Sequence, residues 1–164
     1  TKAAERIREL VLDAELTISH KTETLLYLAA RADHIAQLIR PALQAGKIVL
    51  CDRFSDSTFV YQGSGRGVEL QTLKMLDDFA TSSLHPDLTI LLDGEPEELA
   101  IRRNARGVVD RFELEGLAFQ KKIREAFLAL AASEPTRIHV IDALQSEENV
   151  LDEILTDLQR LLAK

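Results

Sequence analysis

This chain of 164 residues holds a single cysteine, Cys51, so no internal disulfide can staple it, and a reducing, cytoplasmic setting fits. No apolar run approaches the roughly 18 residues a helix needs to span a bilayer, and no secretory leader is read at its start. The four histidines have no mutual zinc spacing. Repeats, low-complexity tracts and linkers are also missing, which leaves one domain over residues 1–164 with enough chain to bury a core. Basic charge is in deficit: 20 Lys and Arg face 27 Asp and Glu, for a net charge of −7. That excess of acid argues against non-specific nucleic-acid binding while leaving room for locally basic clefts.

What is present centres on Ile48-Val49-Leu50-Cys51-Asp52-Arg53-Phe54, which continues through Ser57, Thr58, Phe59, Val60, Tyr61 and Gln62 to Gly63-Ser64-Gly65-Arg66-Gly67. Four apolar residues followed by an acid-base pair and a polar loop predict a buried parallel strand that empties into a loop at its carboxyl end. Ligands of open α/β sheets bind at that end. Asp52-Arg53 reads either as a structural ion pair capping the strand or as a phosphate-handling pair, in which Arg grips through parallel hydrogen bonds and Asp faces a magnesium ion or a cation. Ser57, Thr58, Tyr61 and Gln62 suit hydrogen bonding to a heterocycle better than packing.

The flanking segments alternate between helix and strand patterns. Ala3, Ile7, Leu10, Val11 and Leu12 mark an opening amphipathic helix. Residues 20–46 read as one long helix or two in tandem. Leu25, Leu26, Ala29, Ala30, Ile35, Leu38 and Ile39 form its apolar side, Pro41 a kink or break, and Gly46 a stop. Tyr27 and Arg31 share one face of it, either as an aromatic under an Arg stem or as a ligand-facing pair. A further helix over 69–83 directs Leu70, Leu73, Met75, Leu76 and Phe79 to the core. A second strand at 88–93 ends in Asp93, before Pro96-Glu97 opens another helix. Arg102, Arg103, Arg106 and Arg111 then gather around Gly107 and Asp110, as a solvated face or as a lid that closes over phosphate. Over 112–133 a helix turns Leu117, Phe119, Ile123, Phe127 and Leu130 inward and Lys121, Lys122, Arg124 and Glu125 to solvent. A third strand covers 138–143, with His139 structural, and Ser146 caps a last helix without a full capping box. Strands separated by helices predict an α/β fold with a parallel sheet.

Leu50-Cys51-Asp52-Arg53-Phe54-x-x-Ser57-Thr58-x-Val60-Tyr61-Gln62 resembles the signature of the thymidylate kinase family at every specified position. The resemblance runs on through Pro86-Asp87-Leu88-Thr89, Leu92-Asp93 and Pro96-Glu97. Arg106-Gly107-x-x-Asp110-Arg111-x-Glu113 is similar to the lid, here about 102–113, of bacterial members that carry arginine there rather than in the phosphate loop. Asn104 stands where some relatives have another Arg. One departure is large: no Gly-x-x-x-x-Gly-Lys-Ser/Thr phosphate loop occurs in the chain.

The resemblance implies a P-loop kinase fold of the nucleoside monophosphate kinase type, a parallel sheet flanked by helices in the order 2-3-1-4-5. The strands read here would be 3, 4 and 5, with the first two absent. Thr1 matches the end of the family's Arg-Glu-Pro-Gly-Gly-Thr stretch, so an upstream segment with the phosphate loop is expected. Without the central first strand, ladder groups would stay unpaired at roughly 1–3 kcal/mol each, unless the strands close ranks or a partner fills the gap. The implied activity is magnesium-assisted phosphoryl transfer from ATP to dTMP, giving dTDP, in a cytoplasmic homodimer with no nucleic-acid or membrane partner. The 164 residues by themselves would be feebly active. Arg53 would clamp the acceptor phosphate, with Asp52 organising magnesium-bound water or a phosphate-loop cation. Tyr27 would stack on thymine, Arg31 and Thr58 would read its edge, Tyr61 would crowd the sugar, and Gln62 would add a contact. Arg106 and Arg111 would act in catalysis, and Arg102, Arg106, Ala143 and Gln145 would border ATP. The alternatives are a non-catalytic nucleotide-binding remnant and a uridylate kinase; the Thr58-Tyr61-Gln62 set argues against the latter.

Overall fold

In the computed structural model, which describes residues 1–13, 15–104 and 115–163, the first helix starts at Thr1. The Thr1 hydroxyl accepts from the Ala4 N–H at 3.2 Å, satisfying one free donor of α1 (Lys2–Leu12). Val11 is fully buried and Ala4 and Ile7 are half-buried, while Ala3, Leu10 and Leu12 stay exposed, so the covered stripe is narrower than the sequence predicts. This helix packs on α2 (His20–His34), to whose Asp33 the Thr1 hydroxyl also donates.

From α2 the chain runs without a break through a π-helical stretch, Ile35–Ile39, into α3 (Arg40–Gln44). Pro41 has no N–H to return to the Gln37 carbonyl, and the Arg40 N–H reaches back five residues to Ile35. The proline is thus absorbed as a wider turn rather than a break. The rod ends at Gly46, at φ +71°, where Gly46 N–H bonds to the Leu43 carbonyl and Lys47 N–H to that of Ala42. This paired closure suits a residue without a Cβ. The buried face of the rod holds Glu23, Thr24, Leu28, Ile35 and Ile39, whereas Leu25, Ala29 and Leu38, expected inside, are exposed.

The expected buried strand at 48–51 is the main correction. Residues 47–50 form no ladder, and Leu50 is 87% exposed. Cys51 is exposed too, its thiol donating to the Arg53 carbonyl at 3.4 Å. A strand needs a neighbour for its backbone groups, and none of the described residues supplies one. Beyond it come α4 (Ser55–Thr58), a second π-helical stretch, Phe59–Gly65, and α5 (Leu70–Thr81). On α5 the covered face is Leu73, Asp77 and Thr81, spaced by four. Met75 and Phe79, predicted as core, lie on the opposite face, with Phe79 87% exposed.

These elements make up one compact unit, Thr1–His85; the other is Pro86–Lys164. In the second unit β1 (Thr89–Asp93) and β2 (Ile138–Asp142) pair in parallel, Thr89 beside Ile138 and Asp93 beside Asp142. They are the only ladder among the described residues. Between them run α6 (Pro96–Asn104) and α7 (Gly116–Ser133), and α8 (Glu147–Leu162) follows, capped by Ser146 through the Asn149 N–H as expected. Here α7 packs on both strands and α8 on β2, burying Ile123, Ala131, Ile138 and Ile141. Leu117, expected inside, is exposed. Most of the expected lid, including Arg106, Gly107, Asp110 and Arg111, lies outside the described residues. No described helix is long and apolar enough to cross a membrane.

Candidate functional site

The turn from the unpaired segment into α4 is strained at one residue. Arg53 has φ +63°, a left-handed backbone that costs a non-glycine residue of order 1–3 kcal/mol and recurs at functional positions. Its guanidinium lies over the Tyr61 ring, 5.1 Å from the centroid, within cation–π range. Tyr61 and Gln62 belong to the π-helical stretch that continues α4, a backbone form frequent at functional sites. Asp52, just before Arg53, is exposed.

Arg31 is the hub of this unit. From α2 its Nη1 donates to Asp77 Oδ1 at 2.8 Å, and its Nη2 donates to Thr58 Oγ1 at 2.8 Å and to the Phe54 carbonyl at 3.0 Å. The guanidinium also lies over the Phe54 ring, 5.3 Å from its centroid. Burial lowers the Arg31 pKa, and the Asp77 carboxylate opposes that by charge and hydrogen bond. One side chain therefore ties α2, the 54–58 turn and α5 together.

A second buried polar group lies about two turns earlier on α2. Gln62 Nε2 donates to Glu23 Oε1 at 3.3 Å, and Arg66 Nε lies 3.8 Å from the same oxygen. Glu23 is 1% exposed and Gln62 3%. The expected role of Gln62 as a pocket contact thus begins from an internal bond to Glu23. Tyr27, half-buried, stands on α2 between Glu23 and Arg31 at the same four-residue spacing.

In the second unit Arg102 donates from Nη1 to the Ala143 carbonyl at 2.6 Å and from Nη2 to that of Leu144 at 2.9 Å. Gln145 donates to Glu153 at 2.7 Å and to the Asp142 carbonyl at 3.3 Å. Arg102 and the loop after β2, matched to ATP by the resemblance, are therefore brought together. Arg124 is not simply turned to solvent. It forks onto Asp93 (Nε to Oδ1 2.8 Å, Nη2 to Oδ2 2.9 Å) and reaches Glu95 with Nη1 at 2.5 Å. Lys121, on the same helix, pairs with Glu97 of α6 at 2.6 Å. The Arg124 hydrogen bonds hold the Asp93 carboxyl below its ordinary range, and Asp93 in turn raises Arg124.

Tyr27, Arg31, Asp52, Arg53, Thr58, Tyr61 and Gln62 thus share the first unit, and Arg102, Ala143 and Gln145 the second, while Arg106 and Arg111 lie outside the described residues. Sequence reasoning missed Glu23, Arg66, Asp77 and Arg124. For Asp77 a signal existed: it falls four residues after Leu73, on the covered side of its helix, where an unpaired carboxylate would be costly. Glu23 repeats the Tyr27–Arg31 spacing one turn earlier. Among the described residues no group of three or more His, Cys, Asp and Glu could cage a metal. An open groove of about 340 Å³ runs along His34, Leu38, Ile39, Ala42 and residues 48–51.

Comparison with known proteins identifies the family. The thymidylate kinase family profile matches residues 1–154. Thymidylate kinases of two Pseudomonas fluorescens strains are each 48% identical over 165 residues, covering all of this chain and 79% of the relative. That of Pseudomonas savastanoi pv. phaseolicola is 46% identical over 163 residues, 99% of this chain and 78% of its own. Among solved structures, thymidylate kinase from Ehrlichia chaffeensis superposes with a TM-score of 0.74 at 30% identity, over 96% of this chain and 74% of that one. On its profile match, its identity to named relatives and its α/β architecture, this chain belongs to the thymidylate kinase family.

Proposed function

We propose that this protein transfers the γ-phosphoryl group of ATP to the 5′-phosphate of dTMP, giving dTDP. Arg53 holds the acceptor phosphate, Tyr27 stacks on the pyrimidine, Arg31 and Thr58 meet its polar edge, Tyr61 crowds the sugar, and Gln62 backs the pocket. Arg106 and Arg111 neutralise charge on the transferring group, and Arg102, Ala143 and Gln145 border the ATP base and phosphates. Reactions of this kind need positioning and charge neutralisation more than covalent chemistry, which fits a site built of guanidinium groups. The observation that carries the reading is the strained Arg53 backbone, with its guanidinium held over Tyr61 at 5.1 Å.

Magnesium binds through few protein carboxylates and keeps several waters, so a single exposed Asp52 fits it where a closed cage would not. Asp52 would face the ion through water, and the ion when bound would neutralise phosphate charge. We place the protein in the cytoplasm as a homodimer. The exposed Leu25 and Leu38 on the α2–α3 rod are the positions at which we would test that contact. Arg53→Ala in the full-length enzyme is expected to abolish dTMP binding by calorimetry; unchanged affinity would remove Arg53 from the site.

A further inference from the structure

Asp77 contributes a carboxylate to the interior of its unit, with 0% of the residue exposed. Its Oδ1 accepts from Arg31, while Oδ2 is buried without a hydrogen-bond partner among the described residues. As a stabilising device this is poor, because buried ion pairs are often matched by apolar groups of similar volume, and an orphaned oxygen adds to the cost. What the pair does achieve is orientation. A guanidinium is planar and rigid, so anchoring Nη1 on Asp77 sets the direction of Nη2. Both N–H groups of Nη2 then go to the 54–58 turn, one to the Phe54 carbonyl and one to Thr58 Oγ1. Because Thr58 Oγ1 accepts from Arg31, its own proton remains to be donated elsewhere.

We propose that Asp77 is a positioning residue for pyrimidine recognition, holding Arg31 so that the Arg31–Thr58 pair presents hydrogen-bond donors to a 4-oxo pyrimidine and disfavours a 4-amino one. The inference rests on the reading above that Arg31 and Thr58 meet the base. Such donors match the O4 carbonyl of thymine and clash with the amino group of a cytosine, a mismatch that leaves buried polar groups unpaired. Asp77 touches no substrate; it acts through Arg31.

The test compares dTMP with 5-methyl-dCMP, which differ only at that edge, in the full-length enzyme. Asp77→Asn keeps the volume and one acceptor oxygen and removes the charge. It is expected to raise KM for dTMP about tenfold, to leave kcat at saturating dTMP within about twofold, and to lower the preference for dTMP over 5-methyl-dCMP by about the same tenfold. A variant with a lower Tm but an unmoved preference would overturn the proposal. Arg31→Ala is measured in parallel. If it leaves KM and preference intact, the reading of the base edge falls; if it moves both while Asp77→Asn moves neither, only the proposal for Asp77 falls. In the Arg31→Ala background, Asp77→Asn should change the preference by less than about twofold, and a further tenfold loss would show that Asp77 acts by another route. Should Asp77→Asn not fold, Asp77→Ser is read with the same outcomes. Failure of both to fold while Arg31→Ala folds would also overturn the proposal, since the carboxylate would then serve the fold rather than Arg31.

Discussion

Arg31, Arg53 and Arg124 carry the same charged group and use it in different ways. Arg31 is mostly enclosed and turns Nη2 and one N–H of Nη1 onto protein, Arg53 is exposed over an aromatic face, and Arg124 braces the exit of β1. The Arg124 brace has a pH signature. Its hydrogen bonds depress the Asp93 pKa in the folded chain, so the stabilisation is present above the unfolded value of about 3.9 and is lost as pH falls through the lower folded value. Arg124 stays charged throughout. Asp93→Asn is therefore expected to cost about 1 kcal/mol near neutrality, and its Tm should fall less steeply than that of the wild type on acidification below about pH 4. Parallel acid dependence of the two melting curves would mean that the pair contributes nothing.

Single elements show where local rules hold and where they stop. Ser146 caps its helix as its hydroxyl predicts, and Thr1 and Ser19, which the sequence reading did not name as caps, accept N–H groups in the same way. Gly46 follows from the same logic. Its backbone is at φ +71°, and an added Cβ would meet nothing within 4 Å, so Gly46→Ala costs backbone strain alone. A loss of about 1 kcal/mol is expected by denaturant titration, without change in the substrate constants. The inward faces of the helices were less legible. On α2 the covered side carries Glu23, Thr24 and Arg31, and on α5 it carries Asp77 and Thr81, so a search for apolar periodicity selects other sides. Arg31 with Asp77 and Glu23 with Gln62 are buried there as pairs that meet across elements, a condition no single helix encodes.

For the whole molecule, association is the testable property. Leu25 is 54% exposed and Leu38 51%, which makes them the apolar positions at which the proposed contact is tested. If the protein is the homodimer proposed above, Leu25→Glu combined with Leu38→Glu is expected to shift it to monomer in sedimentation velocity; a dimer that survives both would place its contact elsewhere. Residues 47–51 make a related point about scale. Their β-branched, apolar pattern is that of a strand, yet the segment is exposed, because strand identity is completed only by a neighbour's backbone.

By its own content the sequence determined the helices and the two strands that pair, the Ser146 cap, the stop at Gly46 and the signature residues around Asp52-Arg53, because propensity, capping and motif chemistry act over a few neighbouring positions. Tertiary structure alone decided that Arg31 would lie between Asp77 and Thr58, that Gln62 would meet Glu23, and that Arg124 would brace Asp93. Those outcomes depend on groups 30 or more residues apart in most cases, such as the 46 residues from Arg31 to Asp77, and on the presence or absence of a partner in space.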